Sequence, residues 1–199
     1  MHDSRPEIWL IRHGETEWSL SGAHTGRTDI PLTATGERQA EELGHRLGGR
    51  PFALVLTSPL ARARETCRLA GYGDVSQIEP GLREWDYGAY EGHTSAEIQR
   101  QVPGWTIWTS PVPGGETIGQ VAARARGVLD RASQADGDVA LFAHGHLLRI
   151  LTTVWLGLLP EAGRLFALST ASLSVLGYER DTRVISQWNS CAAARAGAA

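Results

Sequence analysis

The chain has 199 residues, 19 basic against 22 acidic side chains, a formal net charge of -3 and 42% hydrophobic residues. That is enough apolar material for a real core, and it creates no overall field for nucleic acid or an anionic membrane surface. Every basic residue is arginine, so the chain has no P-loop lysine, no Schiff-base lysine and no lysine general base.

The length fits one domain, and no apolar run approaches the ~20 residues that cross a bilayer. Residues 1–6 are polar and lack a signal-peptide core, so a cytoplasmic protein is expected, with no nucleic-acid and no membrane partner. Nothing in the pattern specifies an oligomeric state. Cys67 and Cys191 stand far apart in no metal or redox spacing and are read as reduced thiols.

In chain order, residues 7–12 (EIWLIR) form a short apolar run that stops at His13 and Gly14, a buried strand followed by a turn. Thr33 opens a helix through Glu37, Ala40, Leu43 and Leu47 that closes at Gly48 and Gly49. Residues 52–57 (FALVLT) form a second strand, after which Ser58 reads as a helix N-cap with Pro59 in the first helical position. Thr94 with Glu97 and Thr117 with Gln120 have capping-box spacing, and the second pair leads into an arginine- and alanine-rich helix over 121–132. Between them, residues 102–116 carry three prolines and two tryptophans and read as a loop. VALFA (139–143) is another strand, and LLRILTTVWLGLL (147–159) is apolar almost all round, which marks a buried helix. Strands over 173–178 and 184–188 flank the turn Glu179-Arg180-Asp181-Thr182 as an antiparallel hairpin, and the tail 191–199 is expected to fray. Strand followed by helix, repeated, predicts an α/β fold: a three-layer sandwich with a mostly parallel central sheet and helices on both faces, in one domain whose core spans about residues 7–189.

In open α/β sheets, sites form at the carboxyl ends of parallel strands. Two such ends deliver histidine here, Arg12-His13-Gly14-Glu15 and His144-Gly145-His146, and the two strands are candidates for neighbours. Gly14 is read as permitting close backbone approach to a phosphate. His146 completes an HxH pair, yet no cysteine or carboxylate ligand set accompanies it, so no metal is assigned.

The run LIRHGETEW (10–18) resembles the signature of the histidine phosphatase superfamily, the phosphoglycerate mutase-like family. The resemblance continues, in the family's order, through HTGRTDIPLTATG (24–36), TSPLARARET (57–66), LREWDYGAYEG (82–92), PGGET (113–117) and FAHGHLLR (142–149). It implies a phosphoglycerate mutase-like fold and a set of roles. His13 matches the nucleophile, which forms a phosphohistidine. Arg12, Arg62 and His144 match the groups that cradle the phosphoryl oxygens, since guanidinium forks suit spread negative charge; Arg64 and Arg68 read as a solvated face. Glu84 matches the general acid and base, with Asp86 its nearby competitor. Gly14, Ser19, Thr25, Gly26 and Tyr87 match substrate-contacting positions. His24 is read as a surface histidine on a loop beside the site, and Trp105 and Trp108 either wall the site or pack their loop. No cofactor is implied.

The details resemble most the branch containing sedoheptulose-1,7-bisphosphatase and bacterial acid phosphatases, although His24 stands where that bisphosphatase has an aromatic and the chain is shorter after the AHGH helix. The interval from Glu84 to His144 is short and lacks the extra basic residues of the cofactor-dependent mutases. The resemblance therefore implies a metal-independent phosphatase of small phosphorylated metabolites, sugar phosphates or bisphosphates. The alternatives are a 2,3-bisphosphoglycerate-dependent phosphoglycerate mutase and a non-catalytic phospho-ligand binding protein.

Overall fold

The computed structural model describes residues 5–192. Residues 1–4, and 193–199 of the tail expected to fray, lie outside that range. Six strands, β1 (Ile8–Arg12), β2 (Leu54–Thr57), β3 (Ser76–Ile78), β4 (Val139–Ala143), β5 (Leu173–Glu179) and β6 (Thr182–Ser190), form one sheet in the order β3-β2-β4-β1-β5-β6. The β1/β4, β2/β4 and β2/β3 pairs are parallel, and the β5/β6 hairpin adds antiparallel to β1. The fold class is the mostly parallel α/β architecture that the sequence predicts, and the two histidine-delivering strands are adjacent.

Because successive side chains of a strand point to opposite faces, the two faces of this sheet bury different residues. Leu10, Leu56 and Leu141 join Val121, Ala125, Leu147 and Leu151 in one core layer, while Ile11, Val55 and Phe142 join Leu43, Leu47 and Cys67 in the other. The first layer is covered by α5 (Ile118–Ala132) and α6 (Gly145–Leu156), the second by α2 (Ala34–Leu47) and α3 (Ala61–Leu69). Every residue of β4 is buried, as its uninterrupted apolar sequence requires.

Local signals set the helix ends. Thr33 caps α2 through the Gly36 N–H, and Gly48 closes it in the left-handed conformation at φ 60°. Both expected capping boxes are present, Thr94/Glu97 at α4 (Ser95–Gln101) and Thr117/Gln120 at α5. A third, Thr16/Ser19, starts the short α1 (Glu17–Ser21), which the sequence pattern does not show. The edge strand β3 was equally silent, being three residues with one apolar side chain.

The start of α3 differs from expectation. Its N-cap is Leu60, which makes no side-chain cap, so Ser58 and Pro59 precede the helix rather than open it. The Ala61 N–H is met instead by Asp29 Oδ1 at 2.7 Å, a carboxylate from another loop. The Ser58 hydroxyl accepts from Leu60 N at 3.3 Å and meets His144 Nε2 at 2.7 Å.

Candidate active site

The register aligns three strand ends: Arg12 lies opposite Ala143, and Thr57 opposite Phe142. The residues that follow, His13, His144 and Ser58, therefore emerge together at the carboxyl edge of the sheet. His13 is fixed on both sides, its N–H donating to Ala143 O at 3.0 Å and its carbonyl accepting from Ala171 N at 2.9 Å. The imidazole rings of His13 and His144 stand 5.1 Å apart.

Hydrogen bonds assign the roles of the ring nitrogens. His13 Nδ1 lies 2.7 Å from the Gly14 carbonyl, which only accepts, so Nδ1 carries the proton and Nε2 keeps its lone pair. On His144 the Arg62 Nε–H donates to Nδ1 at 3.2 Å, so Nε2–H donates to Ser58 Oγ at 2.7 Å. Burial, reinforced by the Arg12 and Arg62 charges, pushes His13 well below its ordinary value of 6.5; burial and then Arg62 do the same to His144. Both rings are neutral.

Arg12 lies beside Gly145, where a side chain's Cβ would stand 3.3 Å from the guanidinium carbon. One of its terminal nitrogens donates to Leu168 O, and its Nε is buried with no partner among the described residues. Across the cleft, the Glu84 carboxylate accepts three backbone N–H groups: Trp85 at 2.9 Å, His146 at 3.0 Å and Leu147 at 2.9 Å. The last two belong to the first turn of α6, an arrangement that suits a negative group at a helix N-terminus. Arg124 braces the same segment through Glu84 O and Glu116.

The cleft enclosed by these groups has a volume of about 380 Å³. Arg12, His13 and Glu84 line it at the ends of the strands and the acid loop; His24, Tyr87, Trp105, Trp108, His146 and Arg149 supply a second, largely aromatic part of its wall. Among the described residues, no three histidine, cysteine, aspartate or glutamate side chains cluster as metal ligands.

Residues 8–191 match the sequence profile of the histidine phosphatase superfamily (branch 1). The chain belongs to the histidine phosphatase superfamily. An acid phosphatase of Mycobacterium tuberculosis is 41% identical over 180 residues, 88% of each chain. A sedoheptulose 1,7-bisphosphatase of Saccharomyces cerevisiae is 36% identical over 186 residues, 77% of this chain and 68% of the yeast protein. A solved structure of an open reading frame from Mycobacterium tuberculosis superposes with a TM-score of 0.89 at 38% identity, covering 94% of this chain and 98% of that one.

The superfamily motifs converge in space, with several corrections to the sequence reading. Arg62 and His144 are both 0% exposed and are not among the residues lining the cleft, although the His144 ring stands 5.1 Å from that of His13. The Arg62 fork is largely committed to protein: besides His144 it donates to the carbonyls of Thr25 (3.0 Å), Gly26 (3.1 Å) and Thr28 (3.0 Å). Gly14 is needed for a different close approach, because a Cβ there would stand 2.4 Å from Gly36 O, and its N–H donates to Thr66 Oγ1 at 3.0 Å. Gly26 also lies off the cleft, its N–H held by Glu91 at 2.8 Å. Ser19, Thr25 and Tyr87 do line it; the Ser19 hydroxyl is engaged with Thr16 in the capping box, and the Tyr87 hydroxyl with His146 Nδ1 at 2.7 Å. Asp86 pairs with Arg27 at 2.8 Å, which leaves Glu84 as the cleft carboxylate.

His24 is not a surface residue. It is 8% exposed, its ring packed 4.7 Å from Tyr87 and 5.5 Å from Trp105. Trp105 and Trp108 satisfy both readings, packing against the core and walling the cleft. His146 and Arg149 are cleft residues that sequence reasoning did not assign. Their signal was available: they stand three residues apart on the helix that His144 precedes, and hence on one face.

Proposed function

We propose that this chain is a metal-independent phosphomonoesterase acting on small phosphorylated metabolites, sugar phosphates among them, through a phosphohistidine. The observation that carries the reading is the state of His13: a neutral imidazole whose Nδ1–H is held by the Gly14 carbonyl, leaving the Nε2 lone pair for the cleft.

In the first step Nε2 attacks phosphorus as the ester P–O bond breaks, and the departing oxygen takes a proton from Glu84. In the second, Glu84 removes a proton from water, whose oxygen attacks phosphorus as the P–N bond breaks, returning His13 and inorganic phosphate. Arg12 lines the cleft beside His13, so its guanidinium charge is the one an incoming phosphoryl group meets first. Arg62 adds fixed positive charge and holds His144 in one tautomer, and its charge joins burial and Arg12 in keeping His13 neutral. The acid phosphatase and sugar bisphosphatase names of its relatives agree with this reading.

The test is phosphate release from a panel of sugar phosphates, bisphosphates and 3-phosphoglycerate in EDTA. Release by the wild type and loss of about 10³-fold or more in His13→Ala is expected. Equal activity in that variant overturns the histidine nucleophile, and conversion of 3-phosphoglycerate to its 2-isomer faster than phosphate appears overturns hydrolysis as the main reaction.

A further inference from the structure

In-line displacement puts the leaving oxygen on the side of phosphorus opposite the nucleophile. With His13 behind the phosphoryl group and Glu84 serving the leaving oxygen, the carbon skeleton extends from Glu84 into the aromatic part of the cleft. Two imidazoles meet it there. The His146 N–H donates to Glu84 itself, and the His146 ring lies 5.9 Å from that of His24. Tyr87 packs against both rings, 4.7 Å from His24 and 5.8 Å from His146, with its hydroxyl on His146 Nδ1.

Each ring has one nitrogen anchored and one uncommitted. His146 uses Nδ1 for Tyr87, and His24 uses Nε2 for the Ser95 hydroxyl at 3.2 Å. Among the described residues neither His146 Nε2 nor His24 Nδ1 has a hydrogen-bond partner, and neither is a fully buried orphan, so both reach the cleft. The anchors set what these nitrogens offer. A Tyr87 hydroxyl donating to Nδ1 makes His146 Nε2–H a donor. The Ser95 hydroxyl rotates to donate or accept, so His24 Nδ1 presents either role. Burial lowers His24 to about 4 and His146 well below 6.5, so the pair is uncharged at neutral pH.

An uncharged pair that supplies a donor and an amphoteric nitrogen, set in aromatic walls, fits a hydroxyl group, which also donates and accepts. We infer that His24 is a specificity-determining residue: its Nδ1, with His146 Nε2 across from it, hydrogen-bonds a hydroxyl on the carbon skeleton of the substrate and selects polyhydroxylated phosphate esters over hydroxyl-free ones. The inference rests on the phosphatase reading above and adds the residue that reads the leaving group.

The test compares kcat/KM for ribose 5-phosphate and n-pentyl phosphate, esters of equal chain length with and without hydroxyls. His24→Phe keeps a ring against Tyr87 and Trp105 but removes the nitrogen. The ratio of the two kcat/KM values should fall about tenfold, the worth of one hydroxyl hydrogen bond, with the change mainly in KM for the ribose ester. His24→Asn, whose amide overlays the Nδ1 position, should recover most of that ratio, and thermal melts of both variants confirm folding. An unchanged ratio in folded His24→Phe, or failure of His24→Asn to differ from it, overturns the assignment. A wild type that releases phosphate from neither ester overturns the phosphatase reading itself, and the assignment with it.

Discussion

Glu84 has more backbone donors than a surface carboxylate has, and each comes from a segment that also builds the cleft: Trp85 from its own loop, His146 and Leu147 from α6. Its orientation is therefore fixed before substrate arrives, which is what an acid that must meet one departing oxygen needs. Glu84→Gln keeps the shape and the oxygen that accepts from Trp85 and Leu147, gives up the bond from the His146 N–H, and removes the transferable proton. We expect kcat to fall about 10²- to 10⁴-fold with KM little changed, and the fall to be smaller for esters with acidic leaving groups, which depart without help. Steady-state kinetics across a leaving-group series checks this; a uniform loss regardless of leaving group contradicts the acid role. Cys67, on the buried face of α3 with its thiol pushed up to about 12 by burial, has no comparable part and is a packing residue.

The elements meet the site through close backbone contacts as well as through side chains. Gly14 and Gly36 form such a contact between the turn after β1 and the first turn of α2: a Cβ on Gly36 would stand 2.1 Å from Glu15 O. No rotamer change relieves a clash with backbone, so Gly36→Ala must push α2 away from the turn that carries His13. A loss of about 1–3 kcal/mol in denaturant unfolding is expected, together with reduced kcat, although Gly36 touches no substrate. Retained stability and kcat would show that the helix shifts freely.

At this scale, what the sequence could reveal divides by range. Helix starts were legible at Thr33, Thr94 and Thr117 because a cap is a contact between residues three apart, and the strand-end part of the site was legible because His13 and His144 each follow an apolar strand directly. Ser58 misled for the same reason: its hydroxyl does meet a backbone N–H two residues on, at Leu60, but the helix starts only at Ala61, and the shorter contact of the hydroxyl is to His144, 86 residues away. The aromatic wall joins His24, Ser95 and His146 from three separate segments, so no local pattern announces it, and a histidine between polar loop residues reads as exposed.

Across the molecule, four histidines, the buried His13, His24 and His144 and the half-buried His146, are held below their ordinary value of 6.5, in each case first by desolvation. The unfolded chain takes up protons at these positions as pH falls through about 6.5, while the folded chain does not until lower pH, near 4 for His24. Unfolding then binds protons, so the contribution of these four groups to stability is level above about pH 7 and declines as pH drops from about 6.5 toward 4. Melting temperatures across that window should show the decline, and His24→Phe should show a shallower one, having one fewer proton to take up. Parallel curves for the two proteins would contradict the burial of a neutral His24.

The loop over residues 25–28 is gripped on both sides of its backbone. Glu91 accepts the N–H groups of Gly26 and Thr28, while Arg62 takes the carbonyls of Thr25, Gly26 and Thr28. Its path is dictated by two residues outside it, and hardly at all by its own side chains. Position 24 directly precedes this clamp, so a side chain exchanged there alters what the wall offers a ligand while the loop that follows keeps its course.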